Sequence, residues 1–587
     1  MTRWAKDVTP ENAWQAYPRP QMRRPEWVNL NGLWVYGISP KNQLRPPQFS
    51  GEILVPFPIE SALSGVKRLL QPDELLWYQR TFYIPENWQG MRILLHFGAV
   101  DWETNVWVNS RQMAVHRGGY LPFCYDISDL IRAGENELLV SVWDPTDTLW
   151  QQRGKQVQAS KSIWYTRCSG IWQTVWLEPV PQAYIDKLKI TPDVDADSIR
   201  IGISLAGRDR HSAGWHVRVY DAGTQIAEGE AASATQEIIL PIQDPKFWSP
   251  DSPHLYDMVV ETEKDQVESY FGMRKYSLGQ DAQGRQCFCL NNRPLFLFGP
   301  LDQGYWPDGL YAPPSEEAMR FDLEMIKKLG FNMLRKHVKV EPARYYYDCD
   351  RLGLIVWQDM INGGKAVGDV TSFLAILFGS KRRDRNYRYS GRTAAESRQD
   401  FKRELGELVD HLYNFTCIGA WVPFNEGWGQ FDANAIAEWL KLADPTRLID
   451  HASGWFDQGG GDFASLHVYF KNLPHTNPEK SRAVVLSEFG VYSMKVPEHL
   501  WNPEVEFGYR KYQSSEELTA AYLELLEQQL KPWIEAGLSA AIYTQTTDVE
   551  IEVNGYVTYD REVEKMDFKK LQQAHQQLLK LSQPLVR

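Results

Sequence analysis

Two glutamates stand where a chain could use them for acid–base and nucleophilic work. Glu426 ends the apolar run of Trp421-Val-Pro-Phe-Asn-Glu-Gly-Trp-Gly-Gln-Phe431, and Glu488 follows Ala483-Val-Val-Leu-Ser487. An apolar run that stops at Asn425-Glu426 and turns on Gly427 and Gly429 delivers a carboxylate to the end of a buried strand, where α/β barrels carry their chemistry. Two carboxylates facing one pocket, one protonated and one ionised by different surroundings, are the equipment for cleaving a glycosidic bond. Asn425 offers an amide to a sugar hydroxyl beside the reacting carbon, and Trp428 offers a ring. Arg335 and Tyr469 are the candidates to keep Glu488 ionised and nucleophilic. His337, His451 and His467 fall at or near strand ends and could bind hydroxyls. The stretch Tyr543-Thr-Gln545-Thr-Thr-Asp-Val-Glu550 could supply an aromatic platform and polar contacts beneath a sugar.

The elements that must position these residues can be read from periodicity. Beyond about Gln283, short apolar runs alternate with helical periods. The runs predict strands at 294–299, 332–337, 354–359, 419–424, 448–450, 464–469, 483–487 and 540–544. Helices are expected from Ser315, an N-cap with two acids in the first turn, to Gly330. Others are expected over 343–352, 399–412, 433–443 and 515–536. Eight strands with helices between most of them is the count of a closed parallel barrel, whose strands all point one way. Glu426 on strand four and Glu488 on strand seven then share one mouth. The irregular stretch from Met360 to about Ser397, with its basic run 381–388, reads as a solvated insertion or a lid.

Upstream the rhythm is different. Period-two runs such as Thr104-Asn-Val-Trp-Val-Asn109 and Glu137-Leu-Leu-Val-Ser-Val-Trp143 predict an antiparallel sandwich. A second β-rich segment of about one hundred residues suits an immunoglobulin-like sandwich. The expected domains are 1–182, 183–280 and 281–587. The 23 tryptophans and 28 tyrosines suit stacking on flat, half-polar ligands such as sugars. A net charge of −12 without long acidic runs gives no sign of a nucleic-acid or anionic-membrane partner. The six cysteines show no zinc spacing, so reduced thiols are expected. With no signal-type leader and no apolar stretch long enough to span a bilayer, the expected location is cytoplasmic, or periplasmic or secreted if a leader has been removed.

The stretches Phe97-Gly-Ala-Val-Asp-Trp-Glu-Thr-Asn-Val-Trp-Val-Asn109, His116-Arg-Gly-Gly-Tyr-Leu-Pro-Phe123 and Ser169-Gly-Ile-Trp-Gln-Thr-Val-Trp-Leu-Glu178 resemble the sugar-binding module of glycoside hydrolase family 2. This is the family of β-galactosidases, β-glucuronidases and β-mannosidases. Asn425-Glu426 is similar to its acid/base pair, and Ser487-Glu488-Phe-Gly490 to its nucleophile segment. The resemblance implies a jelly roll, an immunoglobulin-like sandwich and a C-terminal (β/α)8 barrel, in that order. It also implies retaining double displacement on a terminal sugar, with Glu488 as nucleophile and Glu426 as acid/base. Arg335-Lys-His337 is similar to the family's Arg-x-x-His segment with one residue fewer. Trp357-Gln-Asp359 stands where many members have Asp-Glu, and Tyr469 takes the place of a tyrosine that contacts the nucleophile. The expected substrate contacts are Asn425, Arg335, His337, Asp359, Trp428, His467, Tyr469 and Gln545, with no cofactor and no protein metal ligands. Members of the family selective for glucuronides carry an Asn-x-Lys pair that reads the sugar carboxylate. This chain has none, so the resemblance implies a neutral β-galactoside before a uronide, mannoside or arabinoside, unless Lys or Arg of the 381–388 run replaces the pair. The competing class is a carbohydrate-binding protein without turnover. A homo-oligomer is left open.

Overall fold

The computed structural model describes residues 1–43, 48–208, 214–365, 383–469 and 479–581. Alternation in the first domain becomes two facing antiparallel sheets. One has four strands in the order Val28–Asn29, Val175–Val180, Arg92–Phe97, Phe123–Asp126. The other has seven, with Glu135–Trp143 between Glu74–Tyr83 and Glu103–Val108. Inward residues such as Tyr78, Ile93, Val106, Leu138 and Val140 fill the space between them. A second sandwich follows, with three strands (Ala183–Asp193, Ser198–Gly207, Ile238–Pro241) packed on four, around Ile199, Val217 and Val260.

The third domain is an eight-stranded parallel barrel. Its strands are β1 (Leu297–Asp302), β2 (Met333–Lys336), β3 (Ile355–Asp359), β4 (Ile418–Val422), β5 (Leu448–Ile449), β6 (Phe463–Val468), β7 (Ala483–Gly490) and β8 (Ala540–Thr544). They pair in the order β5-β4-β3-β2-β1-β8-β7-β6. The β5/β6 seam is drawn together at Asp462, whose backbone N–H donates to the Ile449 carbonyl at 2.8 Å and whose carboxylate accepts the Ile449 N–H at 2.8 Å. Seven of the eight strands are buried along their whole length, as expected of strands covered on both faces.

Three local expectations shift for physical reasons. The first barrel strand begins at Leu297, because Arg293–Pro294 pairs instead with Leu290 and Cys289 in a small hairpin. The helix expected over 515–536 breaks into Ser515–Leu525, a π turn at Leu526–Leu530 and Lys531–Glu535. Pro532 has no N–H to continue the ladder, and the wider turn absorbs the loss. The helix expected from Gln399 starts earlier, at Ala395. The helix Glu316–Lys328 has its Ser315 cap, which accepts from Ala318 N–H. The basic run 381–388 is described only from Arg383 onward. All six cysteines are free thiols. Among the described residues no helix is long and apolar enough to cross a membrane.

Residues ahead of the first sandwich strap the domains together. Thr2 N–H donates to Asp308 on the barrel, the Trp14 indole to the Pro313 carbonyl, and Gln21 to the Asn414 carbonyl. Arg24 bridges Glu178 of the first sandwich and Asp265 of the second.

Candidate active site

The C-terminal ends of the barrel strands open into a cavity of 920 Å³, lined by Asn425, Glu426, Trp428, Glu488, Tyr469 and His337 among others. After β4 the chain runs on to Asn425, which bridges to Ser453 beyond β5. Glu426 N–H donates to the Ser453 carbonyl at 2.9 Å. Glu426 then adopts a left-handed backbone, φ +52°. That is a costly conformation for a non-glycine residue, and it turns the carboxylate toward the cavity. Gly427 must follow: a Cβ there would lie 2.3 Å from the Phe456 ring. This is why the motif reads Glu-Gly-Trp-Gly. Glu488 sits within β7, where the pairing register with β6 shifts at Leu466/His467 and with β8 between Leu486 and Phe489. Such irregularities re-aim side chains at the rim of a barrel.

The two glutamates are linked through Tyr469. Its hydroxyl lies 2.5 Å from Glu488 Oε2 and 3.2 Å from Glu426 Oε1. Burial, with the two carboxylates beside it, pushes the phenol pKa well above its usual value, so the hydroxyl keeps its proton and donates. His467 Nδ1 lies 2.8 Å from Glu426 Oε1, and its Nε2 lies 3.6 Å from Glu488 Oε1. One oxygen of each glutamate and a ring nitrogen of His467 lie within 4.8 Å of one another, the one such three-donor group among the described residues. A divalent ion there would sit against the Arg335 guanidinium, 3.1 Å from Glu488 Oε1, so the donor set suits a hydrogen-bonded carboxylate pair better than a cation.

Arg335 anchors the floor. Wholly buried on β2, it donates Nε and Nη2 to Asp359 at 2.9 and 3.0 Å, Nη1 to Glu488 and Nη2 to Asn425 Oδ1 at 2.8 Å. Burial alone would raise the Glu488 pKa, but His467 and Arg335 outweigh it and hold the carboxyl well below the ordinary range. His337 places Nδ1 2.8 Å from Asp359 Oδ2. Burial, then the nearby Lys155 charge, lowers its pKa well below 6.5, so the ring is neutral. With Nδ1–H given to Asp359, Nε2 is left as an acceptor.

The expected contact residues divide by position. Asn425, His337, Trp428 and Tyr469 line the cavity, whereas Arg335, Asp359, His467 and Gln545 stand behind its wall with their polar groups engaged by protein. Gln545 is wholly buried between Gln303 and Asn554. Tyr543 is no platform: it is packed in the core against Phe489, Tyr522 and Tyr556. His451 is turned away, its Nε2 near the Gln458 N–H and Asp457.

Aromatic walls come from elsewhere. Trp428 meets Trp164 of the first sandwich at 4.7 Å between ring centroids, and Trp455, Phe456 and Tyr509 complete the rim. The contribution of the first sandwich, Arg153, Lys155 and Trp164, was not read from the sequence. The signal for it is the stretch from Asp144 to Ser169, which carries only two-residue strands at Gln156–Val157 and Tyr165–Thr166. Long loops in compact domains are often functional. This one docks on the barrel through Arg153 and Gly154 N–H groups on the Asn362 carbonyl, at 2.9 and 3.0 Å. At Gly154 (φ +61°) a Cβ would lie 2.6 Å from the Val338 carbonyl, so only glycine permits that approach.

Three family models match consecutive parts of the chain. They are the sugar binding domain of glycosyl hydrolases family 2 over residues 52–181, glycosyl hydrolases family 2 over 183–274, and its TIM barrel domain over 285–578. The chain belongs to glycosyl hydrolase family 2. A β-glucuronidase of Bacteroides fragilis is 25% identical over 84% of this chain and 74% of its own length. A β-galactosidase of Thermoanaerobacter pseudethanolicus is 26% identical over 63% of this chain and 48% of its own. Among solved structures, the β-D-glucuronidase of Dictyoglomus thermophilum matches with a TM-score of 0.73, covering 95% of this chain and 98% of the other at 16% identity. Several of the curated relatives are longer proteins, of which the chain spans 34 to 48%.

Proposed function

We propose that this family 2 chain is a retaining β-glycoside hydrolase acting on a terminal β-uronide. Glu488 attacks the anomeric carbon while Glu426 gives its proton to the departing glycosidic oxygen. Glu426, now a carboxylate, then takes a proton from water, whose oxygen adds to the anomeric carbon and releases Glu488. The observation that carries this reading is the Tyr469-linked pair, with carboxylate oxygens within 4.8 Å of one another. Retaining pairs stand roughly 5–5.5 Å apart, and inverting pairs need roughly 6.5–9.5 Å to admit water between. Arg335 favours the ionised form of Glu488, as a nucleophile requires. Asn425, with Oδ1 engaged by Arg335, has its amide N–H groups left for the hydroxyl beside the reacting carbon. Arg335, Asp359 and His467 are positioning residues in this scheme.

The substrate class rests on different support. The B. fragilis relative, whose alignment covers most of both chains, is named a β-glucuronidase, and the galactosidase relative aligns over a smaller share of each. This ordering reverses the neutral β-galactoside expected from the missing Asn-x-Lys pair. Hydrolysis of a panel of nitrophenyl β-glycosides, with the first-formed anomer read by NMR, tests both parts. The expected result is turnover of the uronide with a β-configured first product. Turnover of the galactoside alone would restore the neutral reading, and an α-configured first product would end the retaining one.

A further inference from the structure

Four lysines are buried among the described residues: Lys155, Lys336, Lys339 and Lys565. Three have carboxylates in contact. Lys336 lies 2.7 Å from Glu341 and 2.8 Å from Asp302, Lys339 lies 2.7 Å from Glu341, and Lys565 lies 2.6 Å from Asp548. That is the usual arrangement, because an ammonium withdrawn from water is costly unless paired. Lys155 departs from it. Only 5% exposed, it has no carboxylate within 4.0 Å among the described residues, and it lines the catalytic cavity. Its Nζ lies 4.8 Å from the Trp428 ring centroid and 5.9 Å from that of Trp164, faces that favour a cation without neutralising it.

One carboxylate stands in reach of the Lys155 charge without touching the ammonium. Glu552, also on the cavity wall, holds the Tyr165 hydroxyl on Oε2 and the Asn554 amide on Oε1 at 3.0 Å. The other lining cations are placed differently. Arg153 donates to the Gly364 carbonyl at 2.8 Å, and Lys161, Lys365 and Arg383 are exposed. Among the described residues Lys155 is thus the buried lysine of the cavity wall, in reach of His337 and Glu552 by its charge but with no carboxylate in contact.

We propose that Lys155, delivered to the barrel mouth by the first sandwich, receives the carboxylate of the uronic acid and so sets the substrate class of this site. The inference rests on the β-uronide reading above and assigns the residue that would enforce it. A carboxylate in that place completes the ammonium's pairing, whereas the CH₂OH of a neutral hexoside leaves it unpaired. Discrimination therefore comes from an ionic hydrogen bond formed with one substrate and not the other.

The test is the ratio of kcat/KM for p-nitrophenyl β-D-glucuronide to that for p-nitrophenyl β-D-glucoside, which differ at C6 alone, in wild type and in Lys155→Met. The expected result is a ratio lowered on the order of ten- to hundredfold, the worth of one hydrogen bond to a charged group. Inhibition by D-glucuronate should weaken in parallel, with inhibition by D-glucose unchanged. A merely structural lysine would lower both substrates and both inhibitors together, and that outcome overturns the proposal. A wild type that hydrolyses the glucoside and not the glucuronide overturns it through the substrate class, leaving the retaining mechanism intact.

Discussion

Two of the buried arginine–carboxylate networks among the described residues, those of Arg24 and Arg335, are built alike, yet only the second opens on the candidate active-site cavity. At the domain junction, Arg24 gives Nε and Nη2 to Asp265 at 3.1 and 2.7 Å, Nη1 to Glu178 at 3.1 Å, and Nη2 also to the Ile185 carbonyl. Glu178 is further held by the Tyr17 hydroxyl and Arg19. In the barrel, Arg335 is equally saturated by Asp359, Glu488, Asn425 and the Ser487 carbonyl. In both places burial raises the carboxylate pKa and charged neighbours, an arginine among them, bring it down, for Glu178 as for Glu488. The electrostatics are the same; the difference is where the second partner of each carboxylate lies. Glu178 has spent its oxygens on protein, whereas Glu488 and Asn425 retain a side toward a cavity that also holds Glu426. A buried ion pair by itself is therefore no sign of a site, and the open face is what separates a clamp from a reactive centre.

The comparison can be broken most sharply at the two carboxylates proposed to react. Glu488→Gln should abolish turnover of every glycoside. Glu426→Gln should lower kcat/KM about 10²- to 10⁴-fold for alkyl glycosides, the usual share of general acid catalysis. The loss should be smaller for nitrophenyl glycosides, whose leaving group needs less protonation. Equal losses on both leaving groups would remove Glu426 as proton donor.

The clamp should respond in the opposite currency, stability without activity. Arg24→Met leaves Glu178 and Asp265 buried and less compensated, at a cost of about 3–5 kcal/mol in unfolding free energy. Below its melting transition the variant should keep the wild-type kcat/KM. Denaturant unfolding and steady-state kinetics on the same preparation check both halves, and a lowered kcat/KM with wild-type stability would erase the distinction.

A subtler effect separates the two arginines by pH. Because the Glu488 pKa is lowered in the folded protein, the proposed nucleophile stays ionised well into acid, and the acid limb of kcat/KM should lie low. Removing the cation in Arg335→Met raises that pKa, so the limb should move to higher pH, while Arg24→Met leaves it in place. A pH profile of Arg335→Met with an unmoved acid limb would detach Arg335 from the ionisation of Glu488.

Much of this was legible in the residues. The eight barrel strands follow from apolar runs because strands buried on both faces need continuous hydrophobicity. The Asn425-Glu426-Gly427 turn follows from a glycine placed where a side chain would collide with Phe456. What stayed hidden depends on through-space contact. Gln545 and Tyr543 share a strand end with the cavity, yet one is claimed by Gln303 and Asn554 and the other by the aromatic core. Lys155 and Trp164 lie about 270 residues upstream of Glu426 in a stretch with little regular pattern, and the docking of that loop on the barrel, at Asn362, Glu550 and Glu552, brings them to the site.

The central claim is that Glu488 forms the covalent bond to the sugar while Glu426 moves the proton. Incubation with a 2-deoxy-2-fluoro-β-glucuronyl fluoride slows the second step and allows the glycosyl-enzyme to accumulate, and peptide mass mapping then locates the sugar. The predicted result is one fluoroglucuronyl group on the peptide that carries Ser487-Glu488-Phe489. The same group on the peptide carrying Asn425-Glu426 would contradict the assignment.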